Sequence, residues 1–244
     1  MRQEMKGLLL EDRWAPVTST MGFLELGAEQ AAQAFATWQR GLATSRGFTI
    51  EVLPVTGTLE QVLSRLLPLS GGERCLFIPT RSAWTAYVDN QWTGTDAASP
   101  MRYMARRLSI RCLRVVAVPH AQRKNQGVRY GAVMLDVFGP EQPGKLHNYV
   151  RALEVANDGG RWVFEQEGEP FPFEQVEQYQ ARRVRDRFTF EMLKDYLRHL
   201  GLSPFEEDFY MPPGARAWLL QKTGPFTTVG QEYTLEEARA ARVL

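Results

Sequence analysis

Cysteine is scarce in this chain, with two in 244 residues, and that excludes a disulfide-built scaffold. Cys75 and Cys112 each stand in an apolar run, Cys75-Leu76-Phe77-Ile78 and Cys112-Leu113-Arg114-Val115-Val116, that reads as a buried strand. Two reduced thiols in a reducing compartment are the expectation. Histidine is nearly as rare, with only His120, His147 and His199, far apart in sequence. Cys-x-x-Cys, His-Glu-x-x-His, Gly-x-Ser-x-Gly, Walker A and Gly-x-Gly-x-x-Gly patterns are all absent, so none of the common zinc, hydrolase or nucleotide signatures applies. No metal or cofactor is called for. Catalysis is less expected but stays open, because sites can be assembled from distant residues. No apolar run approaches the roughly 18 residues of a membrane helix. The run Leu8-Leu9-Leu10 is cut at once by Glu11, Asp12 and Arg13, too early for a signal segment. A cytoplasmic protein without a membrane partner is expected. A net charge of +1 excludes a globally basic nucleic-acid binder and an acidic nucleic-acid mimic alike.

With 44% hydrophobic and 23% charged residues, the chain can bury a core without staples. Ala31, Phe35, Trp38 and Leu42 fall at helical spacing and predict a helix over 28–44. A strand follows over 48–55. Thr58 and Gln61 then form a capping-box pattern opening a second helix, which Pro68 and Gly71-Gly72 close. Strands at 74–79 and 83–90, joined by Thr80-Arg81-Ser82, predict an antiparallel hairpin. Ser99 reads as the N-cap and Pro100 as the first residue of a helix whose apolar face is Met101, Met104, Ala105 and Leu108. Strands at 113–118 and 129–138 come next. Asn157-Asp158-Gly159-Gly160 then marks a hairpin turn. Thr189 and Gly201 bracket a helix lined by Phe190, Leu193, Leu197 and Leu200, and Thr234 with Glu237 caps a short terminal one.

The fold class expected is α+β, a largely antiparallel mixed sheet with helices packed on it and a helical C-terminal third. The stretch 167–173, with a glycine and two prolines, divides a sheet core at 1–170 from an arm or subdomain at 171–244. The arm is expected to pack back on the core, because the connection is short.

Charge carries the strongest functional signal. From 97 to 135 there is no acid, against eight bases: Arg102, Arg106, Arg107, Arg111, Arg114, Arg123, Lys124 and Arg129. From 154 to 177 the sign reverses, with seven acids (Glu154, Asp158, Glu165, Glu167, Glu169, Glu174 and Glu177) against Arg161 alone. The basic window could grip phosphates, dock an acidic protein surface, or be neutralised by the acidic one within the fold. A second basic run, Arg182-Arg183-Val184-Arg185-Asp186-Arg187, carries its own acid and lacks the aromatic interleaving of RNA-binding modules. Among the aromatics, Trp84 should face the core with Ala86 and Val88, whereas Trp92 lies beyond the strand in a turn and is the preferred exposed anchor. For chemistry, His120 at a strand exit with Asp89 and Asp96 at another could polarise water or hold a metal if the two exits met. As ordinary structure, Asp96 would satisfy local backbone donors and His120 would be solvated.

These features favour a non-enzymatic protein that binds another protein through Trp92, Arg102, Arg106, Arg107 and Arg111. An immunity-type protein that neutralises a cognate toxin by direct docking fits that texture. One alternative is an enzyme or ligand-binding protein for a phosphate-bearing substrate, using Arg106, Arg111, Arg129 and His120 with Asp89 or Asp96. The other, less favoured, is nucleic-acid binding through the 97–135 window. The oligomeric state is left open by the sequence.

Overall fold

A computed structural model describes residues 5–43, 47–123, 127–141, 147–225 and 231–241. An N-terminal segment with Leu9, Leu10, Trp14 and Val17 buried leads into β1 (Thr20–Leu24) and α1 (Ala28–Ala43). Then come β2 (Thr49–Val55), α2 (Leu59–Leu63), β3 (Arg74–Pro79), β4 (Thr85–Asp89) and α3 (Ala98–Leu108). β5 (Cys112–Val118) is followed by a small hairpin, β6 (Ala121–Arg123) and β7 (Gly127–Arg129), and by β8 (Ala132–Phe138). β9 (Tyr149–Asp158), β10 (Arg161–Glu167), α4 (Phe190–His199), β11 (Ala217–Thr223) and α5 (Leu235–Ala241) complete the order.

Among the described residues nine strands form one sheet in the order β10-β9-β8-β5-β1-β4-β3-β11-β2, with every neighbouring pair antiparallel. The mixed α+β class is thus observed. Because side chains alternate along each strand, the sheet feeds two separate cores. On one face Phe23, Val88, Leu113, Leu135, Leu153 and Leu219 pack against the N-terminal segment, α2 and α4. On the other, Leu24, Cys75, Phe77, Tyr87, Cys112 and Leu220 pack under α1 and α3. Both cysteines are buried and free, and the β3–β4 hairpin has the expected antiparallel register.

Local chemistry explains the element ends. The Thr58 box is complete, with Gln61 N–H on Thr58 Oγ1 at 3.3 Å and Thr58 N–H on Gln61 Oε1 at 2.9 Å. Thr189 and Thr234 accept from Met192 and Glu237 N–H in the same manner. The 157–160 turn closes with Gly160 N–H on Asn157 Oδ1 at 2.8 Å.

The helical C-terminal third is not what forms. After the 3-10 turns and α4, β11 enters the sheet between β3 and β2, so residues 171–244 supply an interior strand as well as helices. The stretch expected to act as a linker is bolted down. Arg151 of β9, only 1% exposed, donates to both oxygens of Glu174 (2.9 and 2.7 Å), to the Glu167 and Gly168 carbonyls, and to Gln166 Oε1. Two further departures have simple causes. The run 129–138 breaks between β7 and β8, and α3 begins one residue before Ser99, with Ala97 at its N-cap and Asp96 Oδ1 accepting from Ser99 N–H at 3.3 Å. Leu42, expected on the core stripe of α1, is 43% exposed.

Candidate functional site

α3 is amphipathic and lies where β1, β5 and β8 pass beneath it. Met101, Met104 and Ala105 face the second core, and Met101 sits so close over β1 that a Cβ at Gly22 would come within 2.9 Å of it. The opposite side of the helix carries the arginines. Ser99, Arg102, Tyr103, Arg106 and Arg107, with Glu141 from the loop after β8, line an open cavity of about 650 Å³. Tyr103 stacks on Trp38 of α1 with ring centroids 4.2 Å apart, which fixes the floor of this surface. Arg102 Nη2 donates to His147 Nδ1 at 2.6 Å, Arg106 pairs with Glu141, and Asn148 Nδ2 donates to the Arg102 carbonyl at 3.1 Å. Arg107 is exposed and has no acidic partner among the described residues.

The expected partner-binding residues therefore divide. Arg102, Arg106 and Arg107 share one helix side. Arg111, just past α3, is held bidentately by Glu25 at 2.8 and 2.6 Å, and those bonds hold the Glu25 carboxyl below its usual range. Trp92 is not the exposed anchor: it is half-buried against the first core and stacks on Tyr233 with centroids 4.9 Å apart. It thus belongs to the other side of the sheet from α3. Trp84 does pack into the first core with Ala86 and Val88.

Asp89 and Asp96 do meet, but around backbone. Asp89 is 3% exposed; its carboxylate accepts Gln91 N–H and Asp96 N–H, both at 3.0 Å, so it orders the turn that leads into α3. Burial pushes its pKa up to about 7. His120 stands apart. It is exposed, accepts Gly131 N–H at 3.3 Å, and leaves β5, which is separated from β4 by β1. Two strand spacings put about 10 Å between those strands before any offset along them. Among the described residues no group of three His, Cys, Asp or Glu is placed to hold a metal ion.

Among the described residues the basic block makes its ion pairs outside the acidic one. Arg106, Arg111, Arg114 and Arg129 pair with Glu141, Glu25, Asp136 and Asp12, none of which lies in the 154–177 block. The Arg123 side chain and Lys124 lie outside the described residues. Much of the acidic block instead occupies sheet surface beyond α3. α1 packs over β2, β11, β3 and β4, and α3 over β1, β5 and β8, so that among the described residues no helix packs on the same face of β9 and β10. Leu153, Val155, Trp162 and Phe164 point into the first core, so Ala152, Glu154, Ala156, Val163, Glu165 and Glu167 point outward on that open half. Glu154 stands directly opposite Glu165 in the register. Its pKa is raised, chiefly by burial, with Arg114 opposing and Glu165 adding to the rise.

No family model, curated protein or solved structure matches this chain. Two features escaped sequence reasoning, the open acidic strip and the buried Arg151–Glu174 pair. Alternation held a clue to the second, because Arg151 falls in phase with the core residues Leu153 and Val155.

Proposed function

We propose that this is a non-enzymatic protein-binding protein of the immunity type, which neutralises a toxin by docking on it through the outer side of α3. The observation that carries this is the grouping of Arg102, Arg106 and Arg107 around Tyr103 on one accessible helix face. Arginine and tyrosine are favoured anchors at interfaces, and a guanidinium row selects an acidic partner surface and speeds encounter with it. Support also comes from the other candidate residues, since Asp89 and Asp96 are engaged with backbone and His120 follows a strand that β1 separates from β4. Arg106→Glu/Arg107→Glu should weaken the complex with the cognate partner by about tenfold or more, with faster weakening as salt rises in the parent protein. The check is retention of one stoichiometric partner by tagged protein at low and high salt, wild type against variant. Equal retention by both would overturn the docking surface.

The cavity beside the three guanidiniums gives a second reading, binding of a phosphate-bearing ligand. Calorimetric titration with inorganic phosphate and nucleotides separates it from the first, because saturable binding lost in Arg107→Ala is expected only if the cavity is the site.

A further inference from the structure

Among the described residues, the open half of the sheet lacks the layer that the rest of that face has. Ala132, Ala152, Ala156 and Val163 are half-buried there with no helix above them among the described residues, and Glu154, Glu165 and Glu167 stand among them. Like charges directly opposite one another across strands destabilise a sheet, and Glu154 and Glu165 are such a pair. Arg114 is already tied to Asp136 at 2.7 Å, and Arg161 sits at the hairpin end of β10, so the strip keeps an acidic surplus. A cover of matching shape and charge would be a helix bearing exposed cations. This chain has such a helix on the same side of the same sheet.

We propose that two copies of the chain pair face to face, each laying the arginine side of α3 over the acidic half-sheet of the other. The symmetry is what makes this work. β5, under α3, and β9, in the open strip, are two strands apart, which is about 10 Å, or one helix diameter. A two-fold axis running along the strands near β8 brings the second α3 onto β9 and β10 of the first copy, and the first α3 onto the same strands of the second. Both helices then lie side by side in one shared layer, and the interface is self-complementary, as two-fold contacts require. Arg106 and Arg107 meet Glu165 and Glu167 of the opposite copy twice over. A net charge of only +1 offers little opposing repulsion. The pairing needs no other protein and stands or falls separately from the docking role.

Sedimentation velocity of the intact protein over a range of concentrations, at low and high ionic strength, is the test. A monomer–dimer equilibrium that weakens with salt is expected. Arg106→Glu/Arg107→Glu and Glu165→Lys/Glu167→Lys, each on exposed positions and checked for an unchanged thermal melt, should each weaken the dimer by about tenfold or more. Mixed in equal amounts, the two variants should recover it, because every contact in the mixed pair is again between opposite charges. A monomeric mass for the wild type at every concentration in low salt would overturn the pairing without any variant being needed. A dimer indifferent to both reversals, or two folded variants that stay monomeric when mixed, would overturn it as well.

Discussion

A carboxylate that accepts two backbone N–H groups is favoured in its charged form, yet at Asp89 burial outweighs those bonds and moves the pKa up to about 7. Asp136 shares the tendency, pushed to about 6 by burial, with Arg114 opposing the rise. A carboxyl with a raised native pKa contributes stability that is full below its unfolded value, near 4, and is lost as pH rises through the native value. The melting temperature should therefore fall between about pH 4 and pH 7, with Asp89 accounting for about 2–4 kcal/mol of that loss. In Asp89→Asn the slope should flatten, which thermal melts across the window would check. Gly168 makes a second point at this scale. Its φ is +83°, and a Cβ there would lie 2.1 Å from the Val150 carbonyl oxygen, so Gly168→Ala should cost about 2 kcal/mol or more by urea unfolding. Little of this was legible in the sequence. That Asp96 would serve local donors could be read from its place among turn residues, but nothing local distinguishes a tryptophan capped by Tyr233 from an exposed one.

At the scale of elements, the Arg151–Glu174 pair holds the 166–179 stretch against β9. Tyr179 donates to Glu174 at 2.7 Å, and Phe171 N–H adds a further bond at 3.0 Å. Breaking a buried pair strands its partner charge, so Glu174→Ala should destabilise the fold by about 3–5 kcal/mol in urea unfolding. Arg151→Met/Glu174→Leu should cost much less, since both charges leave together. Most helices and half-buried strands could be read from caps and periodicity, as α1, α2, the β3–β4 hairpin and the β9–β10 hairpin show. β1 and β11 could not. β1 is only five residues long, lies at the middle of the sheet and is buried on both faces, so alternation is lost, while β11 is a longer strand one place from the sheet edge. The run Trp218-Leu219-Leu220 fits a helix as well as a strand. The helical C-terminal third was expected because the one strand within it gave no strand signal.

Over the whole molecule, charge is sorted rather than spread. Arginines sit on a helix and carboxylates on the bare half-sheet beside it, with no ion pair joining the two blocks among the described residues. Because the proposed docking and the proposed self-pairing draw on the same arginines, a saturating cognate partner should convert the dimer to a one-to-one complex. Mass measurement during titration would show this. The sheet order has a different consequence, in the timing of synthesis. Among the described residues β2 is an edge strand whose one strand neighbour is β11, the last of the nine sheet strands in chain order. A chain leaving the ribosome thus carries β2 without a mate, and the flank of β3 bare, until residues 217–223 have emerged. Through most of translation that half of the molecule offers two unpaired strand edges to its surroundings. Chains cut short before Ala217 should aggregate where the full chain does not, and a force-sensing arrest sequence should register the final docking only once β11 clears the tunnel.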